Sequence, residues 1–268
     1  MPTFLDKLLS ATRRNGSLLC IGLDPDPTLM PPGLDVADFN RAIIEATSDL
    51  VCCYKPNMAF YEALGLPGLR ALEQTLKTIP SHIPVIGDGK RGDIGSTAKA
   101  YAKAMFEAWN FDATTVNAFG GLEGLQPFLD YKDRGVLIWC LSSNEGRRDF
   151  QFLASAGQPL FEHIVAKAAE WNTRGNVGLV VGATAPSEIK RVRELASELP
   201  LLIPGIGAQA GDLQASVRFG VDANGERAII NASRSVLYAG KGKDFAEAAR
   251  KAAMTARDQM RQAQPAAR

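Results

Sequence analysis

Residues 84–97 read Pro84-Val85-Ile86-Gly87-Asp88-Gly89-Lys90-Arg91-Gly92-Asp93-Ile94-Gly95-Ser96-Thr97. A short apolar run ends on charged residues, turns through Gly92 and Gly95, and enters a stretch of helical periodicity, Ser96–Asn110. The same unit recurs along the chain. Its other apolar runs are Leu18–Asp24, Val51–Asn57, Ala113–Phe119, Val136–Ser142, Val177–Ala183, Leu201–Gly207 and Ala228–Arg234. They are rich in Val, Ile, Leu and Cys without strict alternation, as strands covered on both faces should be. Amphipathic stretches such as Ala37–Leu50, Gly68–Ile79, Leu160–Arg174 and Pro186–Leu199 lie between them.

Repeated strand–helix units predict parallel strands joined by right-handed crossovers. With 268 residues and eight such runs, the expectation is a single α/β (β/α)8 TIM barrel spanning 1–268. A last helix, Lys243 to about Gln262, should fray into a flexible tail at 263–268. An open doubly wound sheet is the alternative. It would want a glycine-rich phosphate turn after the first strand, which Ile21-Gly22-Leu23-Asp24-Pro25 does not provide.

Composition narrows the function classes. Lys and Arg number 30 against 29 Asp and Glu, which gives no electrostatic case for nucleic acid or an anionic membrane surface. No apolar run approaches the roughly 18 residues that span a bilayer, and the N-terminus does not resemble a signal peptide. The four cysteines, Cys20, Cys52, Cys53 and Cys140, sit in strand-like runs without Cys-x-x-Cys spacing. Buried thiols fit better than zinc ligands or a redox pair. A cytoplasmic protein is expected.

Polar residues gather at the C-terminal ends of the runs: Asp24, Lys55 and Asn57, Asp88 and Lys90, Asn117, Ser142 and Ser143, and Arg234. The N-terminal ends carry little beyond turn residues. In a parallel barrel the C-terminal end is where the active site is built. Asp88 and Lys90 are two apart on a strand, so both should point into the mouth, and Lys55 should enter it from the neighbouring strand. Asp93 would project from the loop, with Ser96 or Thr97 capping the next helix. A lone Asp–Lys pair is more often a structural ion pair. Burying several alternating charges is costly unless the geometry is well organised, which favours a catalytic cluster. A lysine held among carboxylates keeps its proton and can deliver it.

The last two runs end in Pro204-Gly205-Ile206-Gly207-Ala208-Gln209-Ala210-Gly211-Asp212 and Asn231-Ala232-Ser233-Arg234-Ser235. Small residues there leave backbone N–H groups free for an anion, and Arg234 can bind phosphate oxygens in pairs. Phosphate sites in this fold commonly use these two loops. Pro204, Gly205, Ser233 and Asn117 complete the substrate-binding candidates.

Taken together, these residues resemble the orotidine 5′-phosphate decarboxylases, in particular their longer bacterial branch (type 2). The resemblance runs from Cys20-Ile21-Gly22-Leu23-Asp24-Pro25 to Asn231-Ala232-Ser233-Arg234. Its anchors are Tyr54-Lys55-Pro56-Asn57-Met58-Ala59-Phe60-Tyr61-Glu62, the Asp88–Thr97 block and Pro204–Gly211. It implies decarboxylation of orotidine 5′-monophosphate to UMP, the last step of de novo pyrimidine synthesis, with no metal and no organic cofactor. By the resemblance, Lys90 protonates C6 and Asp88 presses on the substrate carboxylate. Lys55 orients Asp88 and contacts the ribose, and Asp24 binds ribose hydroxyls. Ser143 reads the pyrimidine edge, while Gln209 and Arg234 grip the phosphate. Such enzymes are usually homodimers, which implies that Asp93, with Thr97 nearby, reaches the partner's site. Gly89 stands where Ala is more usual, Asn117-Ala118-Phe119 replaces Asn-Pro-Tyr, and Glu145-Gly146 replaces Pro-Gly. These departures touch loops and leave the four charged positions intact.

Two other readings stay open. A magnesium-dependent sugar-phosphate lyase on the same barrel would carry a Glu where this chain has Lys55. A non-catalytic nucleotide-phosphate binding protein would not need the intact charged cluster. Ser143–Ala156, with Arg147 and Arg148, is longer than an ordinary strand-to-helix loop and is a lid candidate. Trp109, Trp139 and Trp171 read as core or interface aromatics, and Met58 as packing. His82 and His163 lack a nucleophile placed for a triad.

Overall fold

The computed structural model describes residues 2–206 and 212–265. Eight parallel strands form the central sheet: β1 Leu19–Leu23, β2 Cys53–Pro56, β3 Ile86–Arg91, β4 Ala113–Asn117, β5 Gly135–Leu141, β6 Val177–Val181, β7 Leu201–Pro204 and β8 Ala228–Ala232. Hydrogen-bonded ladders run from β2 through β1, β8, β7, β6, β5 and β4 to β3. Two parallel bridges, Tyr54 with Val85 and Asn57 with Asp88, join β2 to β3 and close the barrel. The expected (β/α)8 architecture is therefore present, and the open-sheet alternative is not.

Strand alternation divides the side chains into two layers. Each strand sends one apolar residue to an inner layer: Cys20, Cys53, Ile86, Ala113, Leu137, Val180, Leu202 and Ile229. Their neighbours, such as Leu19, Ile21, Val136, Ile138, Leu179 and Ile230, pack outward against the helices. Three of the four cysteines lie in or beside the inner layer, and all four are buried and free.

Phe4–Asn15 forms a helix that the strand-and-helix repeat does not foretell. Its start is a capping box: Thr3 accepts from the backbone of Asp6, whose carboxylate accepts from Thr3 N. Gly16, at φ 52°, ends it in the left-handed conformation. The buried Phe4 and Leu8 pack on the inner layer and plug the N-terminal end of the barrel. Gly135 is part of that fit, since a Cβ there would come within 2.3 Å of the Phe4 ring.

The N-terminal end of the barrel also carries more polar structure than expected. Lys7 pairs with Asp112, whose carboxylate accepts from Val85 N. Arg134 Nη1 donates to the Phe111 carbonyl. These groups anchor the plug helix and the turns under β3 and β5.

Other departures have local causes. The helix expected over Ser96–Asn110 is α-helical for Gly95–Lys103 and widens to a π-turn at Ala104–Ala108. Its N-cap is Ile94, without a side-chain cap bond, so Ser96 and Thr97 lie inside the first turn rather than capping it. Gly121–Leu129 is helical although it contains Gly124 and Pro127, which blur its periodicity. Gly124 is needed there, because a Cβ would sit 2.8 Å from the Asp93 carbonyl. The last helix spans Phe245–Ala263, and residues 266–268 of the expected tail lie outside the described residues. Among the described residues, no helix is long and apolar enough to cross a membrane.

If the N-terminal helix is an integral plug, Leu8→Ala should destabilise the whole barrel by about 2–4 kcal/mol, as a buried leucine truncation does. Equilibrium urea unfolding would measure it, and a loss below about 0.5 kcal/mol would show the helix to be dispensable.

Candidate active site

The C-terminal ends of the strands enclose an open cavity of about 500 Å³. Asp24, Lys55, Asp88, Lys90, Ser143, Pro204, Gly205, Ser233 and Arg234 line it. Nine of the sequence candidates thus meet at one place although they come from the ends of six strands. Val180 and Leu202 of the inner apolar layer form its floor together with Trp139, which packs against that layer. Trp139, which the sequence suggests is only a packing aromatic, faces the cavity because its odd position on β5 follows Leu137 inward.

Asp88 is the centre of the charged cluster. Its Oδ1 accepts from Lys90 Nζ at 2.8 Å and from Thr115 Oγ1 at 2.7 Å, and its Oδ2 accepts from Lys55 Nζ at 3.0 Å. Lys55 is only 3% exposed and Asp88 7%, while Lys90 keeps one side open to the cavity. Burial pushes the Asp88 carboxyl up, but Lys55 and Lys90, aided by the bonds from Lys90 and Thr115, outweigh it. They hold Asp88 well below the usual carboxylate range. Burial likewise works against the charge on Lys55, yet Asp88 and Asp24 raise it above the ordinary lysine value. Both groups are therefore ionised at neutral pH.

The expectation that Asp88 and Lys90 share a face holds, but not through regular alternation. The β3–β4 ladder breaks between Gly87 and Arg91, and Lys90 has a left-handed backbone at φ 44°. Arg91, beyond the break, pairs with Glu62 and lies over the Tyr101 ring.

Asp24, at the end of β1, has a buried Oδ1 with no hydrogen-bond partner among the described residues. A buried acceptor left open in a cavity is a place for a ligand hydroxyl. The backbone beside it is fixed by Tyr238, whose hydroxyl accepts from Asp26 N at 2.6 Å and donates to the Asp24 carbonyl at 3.1 Å. Tyr238 gave no sequence signal, because it follows β8 by six residues and reaches back to β1 only in space.

The remaining candidates are placed differently. Asp93 and Thr97 lie outside the cavity lining, and Asp93 Oδ1 accepts from the next backbone N–H. Asn117 also lies outside it and accepts from Phe119 N. Gln209 lies outside the described residues. Arg234 is exposed at the start of a short helix, Arg234–Leu237, directly after Ser233. The long segment after β5 holds a 3-10 turn, Glu145–Asp149, and a small hairpin, Ala154–Ser155 with Gln158–Pro159. Arg147 is tied to Thr184 Oγ1 at 2.9 Å, whereas Arg148 is exposed over the Phe152 ring. Among the described residues, no three His, Cys, Asp or Glu side chains converge as a metal site.

A parallel barrel with a Lys–Asp–Lys cluster at its C-terminal mouth, Lys55 and Asp88 buried and Lys90 open to the cavity, defines a TIM-barrel enzyme. The sequence profile of the orotidine 5′-phosphate decarboxylase / HUMPS family matches residues 17–252, and the chain belongs to that family. An orotidine 5′-phosphate decarboxylase of Herpetosiphon aurantiacus is 54% identical over 257 residues, covering 93% of this chain and 95% of that protein. One of Dehalococcoides mccartyi is 52% identical over 259 residues, covering 95% and 96%. The structure of Leishmania donovani OMP decarboxylase superposes with a TM-score of 0.86 at 37% identity, covering 97% of this chain and 98% of that one.

The electrostatics predict an acid limb for stability. Because the folded Asp88 carboxyl lies below its ordinary value of ~4, its contribution is full above that pH and is lost as pH falls toward the folded value. Asp88→Asn should flatten the melting temperature against pH below ~4 relative to the parent protein. Parallel slopes for the two proteins would contradict the depressed pKa.

Proposed function

We propose that this chain decarboxylates orotidine 5′-monophosphate to UMP and CO2, completing de novo UMP synthesis without metal or organic cofactor. The observation that carries this reading is the Lys55–Asp88–Lys90 cluster, which lines the same cavity as Arg234. In this reading the whole chain acts as one catalytic domain and the substrate spans the cavity.

Asp88 is already ionised and cannot rotate away from its donors, so a substrate carboxylate placed beside it is repelled. Loss of CO2 relieves that repulsion and leaves the bonding electron pair on C6. The Lys90 ammonium then supplies the proton that forms the C6–H bond. Lys55 fixes Asp88 and reaches the ribose, whose hydroxyls satisfy the open Oδ1 of Asp24. Ser143 meets the pyrimidine edge, with Asn117 supporting the loop after β3 by packing against Gly92. The phosphate is held between the Pro204–Gly205 turn, Gln209, Ser233 and Arg234. Its binding energy, remote from the reacting carbon, drives ordering of the loops over the site.

The partner in this reading is a second copy of the chain. Ile94, Phe119 and Leu122 are exposed apolar side chains, Phe119 at 96%. They belong to adjoining loops, since Gly120 approaches Ile94 and Gly124 approaches the Asp93 carbonyl. An apolar patch around Asp93 and Thr97 fits an isologous interface that carries both residues to the partner's mouth. The cytoplasm, where buried thiols remain reduced, suits the four free cysteines.

Loss of orotidine 5′-monophosphate absorbance in EDTA tests the reaction. Metal-independent turnover is expected, with Lys90→Ala slower by at least about 100-fold. Turnover only with magnesium and sugar phosphates, or tight nucleotide binding without turnover, would overturn it.

The dimer has its own test. Phe119→Glu should give a monomer by light scattering, with turnover lost. Mixing inactive Asp93→Ala with inactive Lys90→Ala should restore part of the turnover, because a mixed dimer holds one intact site. No recovery on mixing, with subunit exchange verified, would place Asp93 in its own subunit's function.

A further inference from the structure

β3 and β4 pair Ile86 with Ala113 and Gly87 with Thr114, and pairing resumes only at Arg91 with Val116. Asp88, Gly89 and Lys90 therefore stand opposite Thr115 alone. Such a bulge re-aims side chains but removes ladder partners from the backbone. Lys90, in the left-handed conformation, would be left with an unpaired N–H. Thr115 Oγ1 accepts it at 2.9 Å. A backbone N–H can only donate, so the one hydroxyl proton of Thr115 is free for Asp88 Oδ1, 2.7 Å away. Thr115 is fully buried, so the direction of both bonds is set by the protein.

We propose that Thr115 is a positioning residue for the decarboxylation, locking the Asp88 carboxylate and the Lys90 backbone in one arrangement through a single hydroxyl. The inference rests on the decarboxylase reading for its kinetic consequence. Lys90 Nζ and Thr115 Oγ1 share Oδ1, so loss of the hydroxyl frees the carboxylate to turn about its last torsion and frees the bulge to relax. A displacement of even about 1 Å at the reacting atoms lowers rate far more than it lowers binding. Thr114 provides an internal comparison. It is equally buried and donates to the Gly87 carbonyl at 2.8 Å, pinning the same strand without touching Asp88 or Lys90.

The experiment compares Thr115→Val, Thr115→Ser and Thr114→Val in steady-state turnover of orotidine 5′-monophosphate, with melting temperatures alongside. Thr115→Val should lower kcat by about 10- to 100-fold with KM changed less than about threefold. Thr115→Ser should restore most of kcat, and Thr114→Val should retain it. Thr115→Ala replaces the valine variant if that one does not fold. Unchanged kcat in Thr115→Val, or an equal fall in Thr114→Val, would overturn the proposal. A crystal structure of the Thr115→Val protein provides a reading independent of turnover. Separation of Asp88 from Lys90 supports the role, and an unaltered contact overturns it. If the parent protein does not turn over this substrate, the decarboxylase reading fails while the crystal structure still decides what Thr115 holds.

Discussion

The carboxylate of Asp88 is held by groups from three neighbouring strands: Lys55 of β2, Lys90 of its own strand β3, and Thr115 of β4. A buried carboxylate without such partners would cost several kcal/mol, so each of the three contributes to keeping Asp88 charged inside the barrel. The same residue lies on the seam of the barrel, where the bridge between Asn57 and Asp88 is one of the two joining β2 to β3. Closure of the sheet and construction of the charged cluster thus share one residue. Elsewhere the seam has little ladder hydrogen bonding, so the cross-strand pair of Lys55 and Asp88 carries structural as well as chemical weight.

That arrangement rests on an apolar floor. The layer from Cys20 to Ile229 is apolar and is sealed from below by Phe4 and Leu8. Its members Val180 and Leu202, with Trp139 packed against them, reach the base of the cavity. Low polarisability beneath the charges strengthens every interaction among them. At the opposite end the pair of Lys7 with Asp112 lies at the rim, where both side chains keep contact with solvent.

Much of this was legible in the sequence, because period and polarity are local signals. Eight apolar runs gave the barrel, and their polar C-terminal ends gave the mouth with Lys55, Asp88 and Lys90. What escaped depends on contacts between distant segments or on departures from ideal geometry. Two-residue alternation places Asp88 and Lys90 on one side, but it cannot foresee the left-handed Lys90 or the bulge. A threonine in a strand is ordinary β-chemistry, so Thr115 carried no mark of its role. Tyr238 and the plug helix became visible only when the barrel closed. The expected cap at Ser96 or Thr97 failed because the helix already starts at Gly95, ahead of both, with Ile94 as its N-cap and a φ of 54° at Gly95.

The two ends of the cavity are linked through the segment after β8. Arg234 opens a one-turn helix, and Tyr238 closes it with its backbone N–H on the Arg234 carbonyl. The Tyr238 hydroxyl then clamps the β1 loop at Asp24 and Asp26, while Phe39 stacks against its ring. The helix that begins at Arg234 is therefore bonded to the same backbone that presents Asp24, and Asp24 in turn favours the charged form of Lys55. The rim at Arg234 and the charged cluster beside Asp24 are joined by one tyrosine and one strand end. A ligand that spanned both ends would meet a frame already built, and would be spared the cost of ordering that backbone.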